Sequence, residues 1–175
     1  MSAPPLTPLA AAALHVGVPE RALVLECGEG EAALFLAREF PQARVRGIDR
    51  SEQAIRRAGA RVGLDPEGRV AFKPGSPRAI PFPDDHFDLV TAIDTRPSPP
   101  ELARVLRPHG HLILASSQTP GISLRNRLLR WQLSRYGLEQ TSSDRAGNGS
   151  YLIYCLTGAG GGPSGATPGG LRPGR

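Results

Sequence analysis

Leu25-Glu26-Cys27-Gly28-Glu29-Gly30-Glu31-Ala32 is the stretch whose reading decides the fold. It follows the apolar run Ala22-Leu23-Val24-Leu25, which reads as a parallel strand buried on both faces. It leads into Ala33-Leu34-Phe35-Leu36-Ala37, which reads as a helix. Strand, tight glycine turn and helix start thus stand in the order that a nucleotide-binding crossover needs. Gly28-x-Gly30-x-x-Ala33 satisfies the dinucleotide fingerprint, and Asp49 lies about twenty residues further on, closing Val45-Arg46-Gly47-Ile48.

The acids of the turn bear on the ligand. Glu26, Glu29 and Glu31 would all sit near a pyrophosphate at the helix N-terminus, cancelling the attraction of the backbone N–H groups. S-adenosylmethionine (SAM) has no phosphate and carries a sulfonium and an ammonium against one carboxylate. An acid at the end of the first strand can pair with that positive end, while the glycines admit the backbone close to the ligand. Asp49 is placed to accept from both ribose hydroxyls, each such bond to a charged acceptor being worth roughly 1.5–3 kcal/mol. Glu29 and Glu31 are read differently from Glu26 and Asp49, because acids in the first turn of a helix complement its dipole without any ligand. A nicotinamide cofactor remains a competing reading on the glycine pattern alone, and the acids disfavour it.

A chain of 175 residues with 39% apolar composition fits one domain with a core that needs no disulfides. Two cysteines, Cys27 and Cys155, and no charged region before the short Leu9–Leu14 run give no support for secretion or a membrane span, so the expected compartment is the cytoplasm. Cys27 has no metal-ligand spacing around it and reads as a passive small residue in the turn; no metal is expected. The net charge of +5 is uneven: twelve basic and thirteen acidic residues lie through Pro100, nine basic and three acidic from Glu101 onward. Residues 1–16 are expected as a short N-terminal segment, 17–157 as the domain, and 158–175, rich in glycine and proline, as a disordered tail.

Apolar runs and helical stretches alternate, which predicts an α/β sheet with helices on both faces. Arg44–Asp49 reads as the second strand, Val70–Phe72 as the third, Phe87–Ile93 as the fourth and His111–Ala115 as the fifth. Ser51 caps a helix carrying Ala54, Ile55 and Ala58, which ends at Gly59 or near Gly63. Ser98-Pro99-Pro100-Glu101 reads as a capping box opening a brief helix. Leu124–Tyr136 reads as an amphipathic helix whose apolar stripe is Leu124, Leu128, Trp131 and Leu133. Leu138–Ser142 and Tyr151–Leu156, linked through Gly147-Asn148-Gly149, read as an antiparallel pair closing the sheet.

With these elements placed, the chain from about Arg21 to Leu156 resembles class I SAM-dependent methyltransferases, in particular the small-molecule, quinone-biosynthesis-like branch. Four ordered segments carry the resemblance: Val24–Gly30, Gly47–Ser51, Ile80–Val90 and Ala103–Gly110. It implies a Rossmann-like, doubly wound sheet of about seven strands, mostly parallel with an antiparallel last strand, and SAM across the C-terminal ends of the early strands. Carried over by position, Glu26, Cys27, Gly28 and Gly30 would line the methionine part, Asp49 the ribose, and Arg50 the neighbourhood of the adenine; Ser76 and Pro77 complete the implied cofactor set. The chain departs from the family in having Ala32 for a third glycine, Ser76 for an acid and His109 for a turn glycine. The segment from Ile93 to Arg104, which helps to build the acceptor pocket, is short.

Methyl transfer from a sulfonium needs alignment more than acid–base help, so the lack of an obvious base is uninformative and no catalytic residue is assigned. His86, just before the fourth strand, and Asp94, just after it, are the candidates to approach an acceptor. The arginines of the late helix, Arg125, Arg127, Arg130 and Arg135, read as a solvated face rather than a nucleic-acid surface, because Trp131 is assigned to the apolar stripe. The reading is therefore a methyltransferase acting on a small-molecule acceptor, with no membrane partner expected. Its alternative is a non-catalytic module of the same fold that binds SAM weakly or acts through a protein partner.

Overall fold

The computed structural model describes residues 6–63, 65, 67–118 and 124–158, without the side chains of 124–126. The expected tail lies, apart from Gly158, outside the described residues. In chain order the elements are α1 (Thr7–Ala13), β1 (Arg21–Leu25), α2 (Glu31–Glu39), β2 (Arg44–Asp49), α3 (Glu52–Val62) and β3 (Val70–Pro74). They continue with β4 (Phe87–Ile93), α4 (Pro99–Val105), β5 (Leu106–Ser116), α5 (Leu124–Arg135), β6 (Leu138–Ala146) and β7 (Gly149–Leu156). The strands form one seven-stranded sheet in the order β3-β2-β1-β4-β5-β7-β6. β1 pairs in parallel with β2 and with β4, and β7 is antiparallel to both of its neighbours. This is the expected doubly wound sheet with an antiparallel last strand.

Strand alternation sends neighbouring side chains to opposite faces. Ala22 and Val24 of β1 therefore join a core with Leu9 and Ala12 of α1 and Ala33 and Leu36 of α2. Leu23 and Leu25 join a second core with Leu102 and Val105 of α4 and Leu133 of α5. Seven residues are too few for a helix to stand alone, so α1 exists by packing. Full burial of Leu9 supplies about 2 kcal/mol toward holding it. Chain order reverses at β1: β2 and β3 lie to one side of it, β4 and β5 to the other. That reversal opens the crevice at the carboxyl edge where ligands of such sheets bind.

Three local expectations are corrected. Ser98 stands at the N-cap of α4 but makes no side-chain cap bond. Glu101 reaches instead across the fold, where its Oε2 accepts from the Ile80 N–H at 2.7 Å and pairs with Arg104, so a tertiary partner outcompetes the local box. β5 begins five residues before the expected His111, because Leu106 already pairs with Phe87 ahead of a register shift. In α5 only part of the expected stripe is buried, and the Leu124 side chain lies outside the described residues. Leu133 is buried and Leu129 packs beside it, whereas Leu128 and Trp131 stand 49% and 56% exposed. The adjacent Leu128 and Leu129 offer two helical registers, and packing against α4 and β6 selects the second.

Candidate functional site

Glu26 directly follows β1, Asp49 ends β2, and Asp94 and Thr95 follow β4, so the carboxyl edge gathers three acids and a hydroxyl at the switch point. Glu26 takes a left-handed backbone, φ 46°, as does Asp94 at 51°. Such conformations cost a non-glycine residue about 1–2 kcal/mol and turn the side chain out of the strand line.

The Glu26 carboxylate is shared. Its Oε1 accepts from the Arg50 guanidinium, with Nε at 3.1 Å, and its Oε2 accepts from the Thr95 hydroxyl at 2.9 Å. The Arg50 side chain is 70% exposed, so this pair is weak and exchangeable with another cation. Asp49 braces the glycine turn: its Oδ2 accepts from the Gly28 N–H at 2.9 Å and its Oδ1 from the Ser51 N–H at 2.8 Å. Each oxygen keeps a second lone pair for a ligand donor.

The glycines have separable roles. Gly28 has φ 54°, and a Cβ built there meets nothing within 4 Å, so the turn leaves open space beside Asp49. At Gly30, φ 89°, a Cβ would lie 2.9 Å from the Phe72 ring, and at Gly47 it would lie 2.4 Å from that ring and 2.9 Å from the Cys27 sulfur. These two glycines let the turn settle on β2 and β3. Cys27 is buried within that contact, and desolvation with the nearby Asp49 charge pushes its thiol up to about 12, so it stays a neutral packing group.

Glu29 and Glu31 do not face the open turn. Glu29 pairs with Arg57 at 2.8 Å and Glu31 with Arg61, tying the start of α2 to α3. Ser76 follows β3, and its hydroxyl accepts from the Arg78 N–H at 3.2 Å, while Pro77 is buried beside it. The Gly75 N–H donates to the Asp49 carbonyl at 3.0 Å, which fastens this loop to the end of β2.

Of the two acceptor-side candidates, only Asp94 lies at this edge. Its Oδ1 accepts from the Ser117 N–H at 2.9 Å and the Ser116 hydroxyl at 3.2 Å, linking the ends of β4 and β5. His86 precedes β4 and therefore sits at the opposite end of the sheet. There it stacks on Phe82 with centroids 5.8 Å apart, and burial with the Arg21 and Arg107 charges lowers its pKa. From that end of the sheet His86 does not reach the carboxyl edge. Thr95 was missed, although its place just past β4 mirrors that of Glu26 just past β1. Ser117 also lines a cavity of about 500 Å³ shared with Thr7, Gln118, Gly147 and Asn148, so the Glu26–Thr95 contact and this cavity are joined through Asp94.

The residues present fit SAM by the chemistry of the donor set and by shape: a carboxylate held by an exchangeable cation, a second carboxylate with spare acceptors, and open space at the glycine between them.

Residues 22–110 match the family described as methyltransferase domain. The chain is 34% identical over 127 residues to the ubiquinone/menaquinone biosynthesis C-methyltransferase of Geobacter sulfurreducens, covering 67% of this chain and 48% of that protein. It is 36% identical to the demethylmenaquinone methyltransferase of Thermus thermophilus, covering 58% of this chain and 49% of that one. This chain spans about half the length of both relatives. In fold it is similar to a SAM-dependent methyltransferase of Aquifex aeolicus, with a TM-score of 0.71, 18% identity, and coverage of 87% of this chain and 91% of that one. Sheet order and carboxyl-edge acids agree with the class I SAM-dependent fold, and by sequence the chain belongs to the methyltransferase-domain family.

Proposed function

We propose that this chain transfers a methyl group from SAM to a small organic acceptor. The observation that carries the reading is the pair of strand-end carboxylates, Glu26 and Asp49, flanking the open turn at Gly28. When bound, SAM supplies a methyl already activated by its sulfonium, so the protein's task is alignment and exclusion of water. Glu26 exchanges its Arg50 partner for the cationic end of the ligand, and Thr95 keeps the carboxylate oriented through that exchange. Asp49, fixed by two backbone N–H groups, offers its remaining lone pairs to the ribose hydroxyls. Gly28, Gly30 and Cys27 form the close wall, and Arg50, Ser76 and Pro77 border the adenine side. The acceptor enters by the cavity at Ser117 and Gln118, whose uncharged lining suits a neutral molecule.

Kinship to two quinone-pathway methyltransferases supports a small-molecule acceptor, and nothing in it favours a non-catalytic role. A cytoplasmic setting belongs to the same proposal and is supported by two cysteines that are both free thiols. No helix among the described residues is long and apolar enough to cross a membrane.

Calorimetric titration with SAM and S-adenosylhomocysteine tests the proposal. Both bind the folded chain, and Asp49→Ala weakens both by about a hundredfold or more, the loss of two bonds to a charged acceptor. Absence of heat with either ligand from a folded chain refutes it.

A further inference from the structure

The outer side of α5 presents apolar residues that stand exposed and join neither core cluster among the described residues. Leu129 and Leu133 seat the helix, and Trp131, two positions from each, points away from the core with Leu128 one turn before it. Tyr136, 47% exposed, follows at the helix end. Arg127 and Arg135 flank Trp131 at helical spacing, and the Arg135 guanidinium lies over its ring, 5.0 Å from the centroid. Among the described residues no ion pair engages Arg127, Arg130 or Arg135, and the sequence has no acidic residue from Leu102 to Leu138.

We propose that α5 is a docking surface for an anionic lipid bilayer, lying in the plane of the membrane with Leu128, Trp131 and Tyr136 at the headgroup boundary. Charge complementarity selects the occupant, since an exposed helix that carries arginines and no acid of its own, with no ion pair to Arg127, Arg130 or Arg135 among the described residues, is repelled by basic surfaces and drawn to phosphate-bearing ones. The apolar residues choose among phosphate-bearing surfaces. Trp and Tyr favour the membrane interface, arginine stems run along apolar surface while their heads stay wet, and Leu128 gains only where hydrocarbon is within reach. A nucleic acid would use the arginines and leave Leu128 in water. A helix lying on the surface requires no spanning segment, so the expectation of no membrane partner does not extend to it. With twelve residues, about 18 Å long, α5 suits a reversible contact.

Trp131 is the chain's one tryptophan, so the full chain carries its own probe. Its emission is followed on adding vesicles of phosphatidylcholine alone, or of phosphatidylcholine and phosphatidylglycerol in equal parts. The expected result is a blue shift, with quenching by brominated acyl chains, on the anionic vesicles only and reversed by high salt. Substituting Arg127, Arg130 and Arg135 together by Gln lowers vesicle affinity about a hundredfold, at about fivefold per arginine. Leu128→Gln lowers it as well, and for both variants an unchanged circular dichroism spectrum and unfolding midpoint show that the fold is intact. The proposal is overturned by an unchanged emission from the folded chain, by equal binding to neutral vesicles, or by tighter binding to single-stranded RNA or polyglutamate than to anionic vesicles. SAM binding is independent of each of these outcomes.

Discussion

Gly28→Ala separates the demands of the fold from those of the ligand. A methyl group at this position meets no atom within 4 Å, so the only structural penalty is the left-handed backbone at φ 54°. For alanine that is about 1–2 kcal/mol, which at this chain length lowers the unfolding midpoint by about 2–8 °C. The same methyl projects into the space beside Asp49 that the proposed ligand needs. SAM affinity therefore falls by more than tenfold in calorimetric titration, while circular dichroism stays native. Gly30→Ala is the control, because it adds a contact of 2.9 Å with Phe72 and 3.2 Å with Ala58 to an equally unfavourable φ. Its midpoint falls further, by the additional 1–3 kcal/mol typical of overpacking. If Gly28→Ala bound SAM like the parent chain, the open turn would not be the ligand face, and the assignment of Glu26 and Asp49 would fall with it.

Glu101→Ala removes an acceptor for the Ile80 N–H and two bonds from Arg104. One backbone bond to a charge and one partly exposed ion pair together amount to about 2–3 kcal/mol at neutral pH, or about 5–10 °C. Arg104 and the Ile80 N–H hold the Glu101 carboxyl below its ordinary value near 4.5. Its contribution is therefore complete above that value and is lost as pH falls through the lowered one. Melting curves of parent and variant converge in acid, and a gap as wide at pH 2 as at pH 7 would refute the linkage. Tyr154→Phe acts in the opposite direction: the buried Tyr154 hydroxyl has no hydrogen-bond partner among the described residues, so its removal raises stability by about 1 kcal/mol, read as a higher urea midpoint at constant slope. A lower midpoint would reveal a partner for the hydroxyl.

The parallel half of the sheet was legible: Phe87–Ile93 is the largely apolar run of a buried strand, Arg44–Asp49 sets buried Val45 between the more exposed Arg44 and Arg46, and both are read at their true bounds. Glu26 and Asp49 were legible for a related reason, since chain order alone puts strand ends at one edge. The side of α5 that meets the core was not. Periodicity shows that Leu128 and Trp131 share a face, and equally that Leu129 and Leu133 do, but only the neighbouring helix decides between them. The tertiary roles of Glu101 and Thr95 were not legible because their partners, Ile80 and Glu26, are distant in sequence. A sequence shows the caps and pairs that a residue can make locally, and tertiary competition removes some of them.

The burial of α1 against β7 bears on the order of assembly. Leu9 packs in one cluster with Tyr151 and Ile153, and the His15 ring stacks on Tyr151 with centroids 6.0 Å apart, so among the described residues the first helix rests on the last strand. During synthesis α1 emerges long before its partner exists, and a helix of seven residues cannot persist by itself. Closure of this layer waits for residues near 156, which makes it a late, long-range event in folding. Until then the apolar side of β5 that α1 covers stays exposed, and a ribosome stalled before β7 would present a sticky nascent chain.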